Sequence, residues 1–247
     1  MRILMRVAYD GTEYSGWQIQ NNARTIEGVL TEALEDMLGA EVQVIGASRT
    51  DAGVHSLGNL CIFDTDSRIP PEKFRDALNA RLPQDIRVME SFEAPEDFNP
   101  RFAATLKTYE YHIWNDSILL PTKRMYAHHI YGELDIESMD RAAKKLIGEH
   151  DFAAFCSAGA QVKTTVRTLT DASVFREESD PRMVVIRVSG EGFLYNMVRI
   201  IAGTLLEIGM GRRPEEDMDS IIQSCDRQLA GPTAPANGLI HIKTDIL

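Results

Sequence analysis

The chain reads Ser48-Arg49-Thr50-Asp51-Ala52-Gly53-Val54-His55 between two stretches of apolar residues. In an extended segment, positions two apart project to the same side, so we expect Arg49 to lie beside Asp51. A neighbouring positive charge favours the ionised form of a carboxyl group, and an ionised carboxylate in a tight turn is a candidate nucleophile or base. An isolated Arg-Thr-Asp would be better explained as a surface ion pair, but eight consecutive residues of this kind favour a functional turn.

The segments on both sides of this turn predict alternating strands and helices. The predicted elements are a strand over 3–9, a helix over 26–38 capped by Thr25 and closed by Gly39, strands over 42–47 and 57–64, a short helix between Pro71 and Pro83, and a strand over 86–92. This β-α-β-β-α-β order is that of a split βαβ, or ferredoxin-like, unit.

A similar order follows the connector Phe98-Asn99-Pro100. It comprises a strand over 108–114, a helix over 136–147, strands over 169–176 and 183–189, a helix over 194–208 ending near Gly209, a short helix from Pro214 and a last strand over 239–244. We therefore predict an α+β protein of two ferredoxin-like halves, residues 1–104 and 105–247, whose sheets pair and leave a cleft where they meet.

The composition is that of an ordinary soluble protein. Apolar residues make up 44% and charged residues 26% of the 247 residues, and no apolar run approaches the roughly 20 residues that span a bilayer. The chain starts directly with strand-like sequence and without a signal pattern. Its three cysteines are far apart, so a disulfide framework is not expected and a reducing cytoplasm is the default.

A formal net charge of −11 argues mildly against a nucleic-acid partner, because phosphate neutralisation needs basic surface. The basic residues are unevenly distributed, however. Basic residues outnumber acids over 98–131, and Lys163 and Arg167 stand in an acid-free stretch, 159–170. These are either solvated faces or the edges of a cleft, and we predict a locally basic cleft around Asp51.

Two further segments contain candidate site residues. Tyr109 and Tyr111 face the same way on a predicted strand, as core aromatics or as a platform on which a flipped-out base stacks. Arg199 lies off the apolar stripe of its helix, where an arginine is usually just solvated.

These segments together resemble the TruA-type tRNA pseudouridine synthases. Residues 48–55 are similar to the family's catalytic motif, Gly-Arg-Thr-Asp-Ala-Gly-Val-His, with Ser48 in place of the first glycine. Lys107–Tyr111 resembles the second motif, Met197–Arg199 the Met-Val-Arg signature, and Asn237-Gly238-Leu239 the last motif. The resemblance extends from about residue 9 to residue 242.

The resemblance implies a role for each site residue. Asp51 would be the nucleophile, Tyr109 would stack on the target uracil, and Tyr111 would belong to the core. Arg199 and Arg49 would hold the aspartate, and Leu239 would form an apolar wall of the pocket. The family acts as a homodimer on uridines 38, 39 and 40 of the tRNA anticodon arm, and its fold supports the joined sheets and central cleft.

The sequence predicts neither a metal nor a cofactor. The six histidines lack metal-ligand spacing, and a phosphate-cradling glycine-rich loop is missing, so ATP, metal and nicotinamide are not implied.

Two other functions compete with this interpretation. A nucleophilic aspartate near a sugar also suits a glycoside or N-glycosidic hydrolase, but a retaining glycosidase needs a second carboxylic acid, and the sequence pairs none with Asp51. A non-catalytic RNA-binding module would bind tRNA equally well after Asp51→Asn.

Overall fold

The computed structural model of the chain describes residues 1–160 and 162–247. The chain forms two compact units, Met1–Thr105 with His241–Leu247 and Leu106–Ile240. The sequence predicts a single boundary after residue 104. In the structure, residues 241–247 instead group with the N-terminal unit.

The N-terminal unit contains a four-stranded antiparallel arrangement and two helices. Its elements are β1 (Arg2–Tyr9), α1 (Ile26–Leu38), β2 (Ile45–Gly46), β3 (His55–Asp64), a 3-10 turn (Pro71–Lys73), α2 (Phe74–Asn79) and β4 (Ile86–Ala94). β1 pairs with both β3 and β4, and the short β2 pairs with the other side of β3.

Helix α1 forms as its local sequence predicts. The Thr25 side chain accepts a hydrogen bond from the amide of Gly28, and Gly39 ends the helix in the left-handed conformation at φ 67°. The apolar stripe of the helix is buried in one cluster with the inward faces of β1 and β3, through Ile26, Leu30, Leu34, Ile3, Met5, Val7, Cys61 and Phe63. This packing holds β1 and β3 in place, and with them the turn that precedes β3.

The C-terminal unit is also α+β. Its elements are β5 (Thr105–Asn115), β6 (His128–Ile130), α3 (Ile136–Lys144), β7 (Gly148–Asp151), β8 (Val166–Arg176), β9 (Met183–Gly190), α4 (Met197–Gly209), α5 (Asp217–Ser224) and the beginning of β10 (Leu239–Ile246). The strands follow the order β5-β9-β8-β7 with antiparallel pairing, while β6 pairs with β5 in parallel. From His241 onward, β10 belongs to the N-terminal unit and lies next to β3.

The predicted α+β class is confirmed, with revised element bounds. The strand predicted over 42–47 is reduced to Ile45–Gly46, because the chain enters the Asp51 turn directly afterwards. Strands β6 and β7 were not predicted; each has four residues or fewer, too short to show a periodic pattern. That the halves are ferredoxin-like and that their sheets join stays a prediction. Among the described residues, none of the helices is long and apolar enough to cross a membrane.

Candidate active site

The Asp51 turn, residues Ser48–His55, connects β2 to β3 in the N-terminal unit. Asp51 is half-buried, and the preceding Thr50 is buried. The Thr50 hydroxyl lies 2.8 Å from the hydroxyl of Tyr9 in β1, and its carbonyl accepts a hydrogen bond of 3.0 Å from the amide of Trp17. The backbone that carries the Asp51 carboxylate is therefore fixed by both its neighbouring side chain and its neighbouring peptide group.

The loop over residues 10–24 lies against this turn so closely that glycine is required at two positions. A Cβ atom added to Gly16, where φ is +91°, would lie 2.6 Å from the carbonyl oxygen of Thr50. A Cβ on Gly11 would lie 2.0 Å from the carbonyl oxygen of Val54. Because neither contact can be relieved by moving a flexible side chain, both glycines are needed to keep the turn in place.

Ser48 holds the base of the turn through its backbone. The side chain of buried Asn59 in β3 accepts a hydrogen bond from the Ser48 amide at 3.2 Å and donates one to the Ser48 carbonyl at 3.0 Å. Ser48 is not among the described residues with positive φ, so the backbone here does not need the glycine that is frequent in the resembling family. Its buried hydroxyl has no hydrogen-bond partner among the described residues.

His55 ties the other end of the turn to the same loop, which the sequence analysis missed. Its ring is buried, and Nδ1 accepts a hydrogen bond from the amide of Gly11 at 3.1 Å. The same nitrogen lies 3.1 Å from a carboxylate oxygen of Asp10. His55 is recognisable as the last residue of the motif, but nothing in the sequence indicates that its partners lie 44 and 45 residues earlier.

Arg49 is exposed and lies near a second arginine, Arg101. Burial and then repulsion from Arg49 lower the pKa of Arg101, with Glu27 acting in the opposite direction. Two guanidinium groups therefore lie near each other beside the Asp51 turn. The predicted contact of Arg49 with Asp51 stays a prediction.

Tyr109 lies in the C-terminal unit, at the point where β5 pairs with β9. Its ring is only 9% exposed and contacts the ring of Phe193 edge to face, with centroids 5.0 Å apart. Phe193 follows β9 and precedes α4, and the sequence analysis did not select it. The edge contact fixes the plane of the Tyr109 ring, which a stacking platform requires.

Arg199 lies in the first turn of α4 and is half-buried, whereas most of this helix is buried. Its Nε donates to the carbonyl of Ala234 at 2.8 Å, and the Ala234 amide donates to the Arg199 carbonyl at 3.0 Å. Burial raises the pKa of Tyr111, and the positive charge of Arg199 opposes this shift. The guanidinium of Arg199 therefore lies near the Tyr111 phenol.

Leu239 begins β10 and is positioned by the two residues before it. The Asn237 side chain donates to the carbonyls of Arg124 and Ala127, at 3.0 Å each. A Cβ on Gly238 would lie 2.7 Å from the ring of Tyr111, so glycine allows the chain to pass directly over this ring. Leu239 follows, with 6% of its surface exposed.

The predicted site residues thus fall into two groups. Arg49 and Asp51 share the Asp51 turn of the N-terminal unit, while Tyr109, Arg199 and Leu239 lie in the C-terminal unit. Tyr111 connects the second group, because it is two residues after Tyr109, near the charge of Arg199 and packed on Gly238. Its complete burial and the 2.8 Å hydrogen bond from its hydroxyl to the Pro235 carbonyl confirm that Tyr111 belongs to the core.

The described residues contain no group of three or more histidine, cysteine or acidic side chains that could hold a metal ion. The predicted site residues supply a carboxylate, guanidinium groups, a phenol ring and apolar side chains.

Comparison with known proteins gives the class of this chain. Residues 5–103 and 142–245 match the tRNA pseudouridine synthase family, and the chain belongs to that family. Both matched segments contain predicted site residues: the first includes Asp51, and the second includes Arg199 and Leu239. Members of this class isomerise uridine to pseudouridine.

Three curated relatives of similar length are named tRNA pseudouridine synthase A or A 2. The chain is 51% identical over 239 residues to tRNA pseudouridine synthase A 2 of Clostridium tetani, covering 96% of this chain and 95% of the relative. It is 47% identical over 237 residues to tRNA pseudouridine synthase A of Acetivibrio thermocellus, covering 96% of each. The corresponding enzyme of Halalkalibacterium halodurans is 44% identical over 246 residues, covering 99% of this chain and 92% of the relative.

Proposed function

We propose that this protein converts uridine to pseudouridine at positions 38, 39 and 40 of the tRNA anticodon stem-loop. The observation that carries the proposal is the Asp51 turn: the family's motif is present, and its backbone is held by β1, β3 and the loop over 10–24. The relatives named tRNA pseudouridine synthase A cover nearly the whole chain and support the same substrate.

The reaction is a redox-neutral isomerisation. The N1–C1′ glycosidic bond of uridine breaks, a C5–C1′ bond forms, the proton on C5 leaves to solvent, and N1 carries a proton in the product. The protein must hold the detached uracil while it turns, and must exclude water that would otherwise capture the sugar. This requires a nucleophile near the sugar or base, a stacking surface and apolar walls, and it requires no cofactor.

The proposed roles follow from these requirements. Asp51 is the nucleophile, attacking either C1′ or C6 or acting through a glycal. Tyr109 stacks on the flipped-out uracil, which its fixed ring plane supports. Leu239 closes the pocket. Arg199 and Arg49 pair with Asp51 and keep it ionised, since opposite charges favour the charged form of a carboxyl group.

We also propose a ferredoxin-like arrangement for the two halves of the chain. The strand order β4-β1-β3, with β2 outside β3, supports a ferredoxin-like N-terminal unit. We extend this to two ferredoxin-like halves whose sheets join around a central cleft, in a cytoplasmic homodimer.

The test is tritium release from unmodified tRNA labelled at C5 of uridine. We expect the wild type to release tritium, with pseudouridine mapped to positions 38–40, and Asp51→Ala and Asp51→Asn to release none. The matched control is Asp66→Asn, which removes an exposed carboxylate in the loop after β3 and should leave the rate unchanged.

Two outcomes would favour other functions. Free uracil in the products would indicate an N-glycosidic hydrolase. Tight tRNA binding by the wild type and Asp51→Asn alike, without tritium release from either, would indicate a binding module.

A further inference from the structure

Asn196 precedes α4 in a conformation that few side chains adopt. Its backbone is left-handed, at φ 61° and ψ 9°, and it is one of three non-glycine residues with positive φ among the described residues. This conformation costs free energy for any residue with a Cβ atom, although asparagine tolerates it better than most. A strained residue persists only where the surrounding contacts compensate for it.

The carboxamide of Asn196 does not cap the helix. At this position an asparagine side chain usually accepts a hydrogen bond from a backbone amide of the first turn, but Asn196 makes no such bond. Instead, Oδ1 accepts a hydrogen bond of 2.9 Å from Nη1 of Arg199, and Nδ2 donates one of 2.9 Å to the hydroxyl of Ser157. Asn196 therefore links the Arg199 guanidinium to Ser157, in a different segment of the C-terminal unit, and leaves the first turn of α4 without a side-chain cap.

Two side-chain contacts hold the Arg199 guanidinium at different nitrogen atoms. Nε donates to the Ala234 carbonyl at 2.8 Å, which fixes one point of the planar group. The Asn196 contact at Nη1 holds a second point of the same planar group. Two fixed points on one planar group determine its orientation.

We propose that Asn196 is a positioning residue that sets the plane of the Arg199 guanidinium, with Ser157 fixing the carboxamide in turn. The inference rests on the proposed function, in which Arg199 acts on the catalytic carboxylate. This role explains the strained backbone at the start of α4. The left-handed conformation of Asn196 occurs together with the hydrogen bond between its side chain and Arg199, three positions later.

The first test is Asn196→Gly, which removes the carboxamide and also suits the left-handed backbone. We expect kcat for tritium release to fall roughly 10-fold, because misorientation of a group near the reacting atoms is costly, while KM for tRNA changes less than about 2-fold. The midpoint of thermal unfolding should change little, because relief of the left-handed strain offsets the loss of two hydrogen bonds and the greater freedom of glycine in the unfolded chain. The matched control is Cys225→Gly, at an exposed residue with φ 52° that ends α5, which should keep the wild-type kcat.

The second test asks whether Asn196 acts through Arg199. Arg199→Lys keeps a positive charge but lacks the planar guanidinium with its several donors. We therefore expect this variant to release tritium slowly, at a rate that can still be measured under single-turnover conditions. Adding Asn196→Gly to Arg199→Lys should then slow the reaction no further, and Ser157→Ala alone should cause a smaller loss than Asn196→Gly.

The results separate this proposal from the proposed function. Absence of tritium release by the wild type would overturn the function itself. A wild type that is active, with Asn196→Gly equally fast, would overturn only the positioning role. The positioning role would also be overturned if the double variant lost rate by the product of the two single-variant losses. Such a result would show that Asn196 and Arg199 act independently.

Discussion

At the scale of single residues, the backbone of Ser48 stabilises the Asp51 turn, whereas its side chain lowers the stability of the folded chain. Both of its peptide groups bond to Asn59, but its buried hydroxyl has no partner among the described residues. We expect Ser48→Ala to raise the free energy of unfolding by about 1 kcal/mol, because it removes an unsatisfied polar group and leaves the Asn59 contacts intact. A chain of this length should then unfold roughly 2–4 °C higher in calorimetry.

Ser56 provides the control for this prediction. Its hydroxyl lies 3.0 Å from Nδ1 of buried His241, so Ser56→Ala should lower the midpoint instead. Destabilisation by Ser48→Ala would show that its hydroxyl is satisfied after all.

At the scale of secondary-structure elements, Glu110 links β5 to β9. It lies opposite Arg187, which donates to Oε1 at 2.7 and 2.9 Å, while Nε2 of His112 lies 2.9 Å from Oε2. The hydrogen bond with His112, and then that with Arg187, hold the pKa of Glu110 below its usual value, against the effect of burial. A carboxyl whose pKa is lower in the folded state adds stability above its unfolded pKa, and this stability is lost as the pH falls through the folded value.

We therefore expect Glu110→Gln to be less stable than the wild type by about 1 kcal/mol at pH 6, with a difference that shrinks towards pH 3.5. Urea unfolding at a series of pH values measures this difference. Glu149→Gln, at an exposed position of β7, is the control. A difference that stayed constant across the series would contradict the assigned role of the Glu110 carboxylate.

The elements that the sequence predicted well are those defined by local chemistry. Thr25 and Gly39 mark the ends of α1, because a cap needs only residues that are close in sequence. Strands β6 and β7 have no such local signal and form because a partner strand lies beside them. The same distinction applies to the site. Asp51 stands in a recognisable motif, whereas the supporting side chains depend on contacts between distant segments: His55 with Gly11, Phe193 with Tyr109, and Asn196 with Ser157.

At the scale of the whole molecule, a net charge of −11 has to coexist with binding to an anionic RNA. The turn at residues 99–102 is a local candidate for binding RNA. Arg101 lies near Arg49 and is followed by Phe102, which is 82% exposed. The Arg101 amide donates to the Asn99 side chain at 3.0 Å, which gives the turn a defined shape. An arginine beside an exposed aromatic ring suits a phosphate contact next to an unstacked base.

We expect tRNA binding to weaken with salt, and Arg101→Ala to reduce the slope of log K against log salt concentration by roughly 1. Binding can be measured in the Asp51→Ala background, which separates it from turnover. Arg75→Ala, which removes an exposed arginine paired with Asp76 on α2, should leave the slope unchanged. Equal slopes for Arg101→Ala and Arg75→Ala would rule out a phosphate contact at Arg101.

The grouping of residues 241–247 with the N-terminal unit has a consequence for biosynthesis. Ser56, at the start of β3, finds its partner His241 only after 185 further residues, so this contact cannot form early on the ribosome. The nascent chain must carry an incomplete N-terminal sheet, in which only the short β2 pairs with one side of β3, while residues 106–240 are translated. The contacts that hold the Asp51 turn lie within residues 9–59, so the turn can form early. The strand that follows the turn gains its last neighbour only when residues 241–247 have been synthesised.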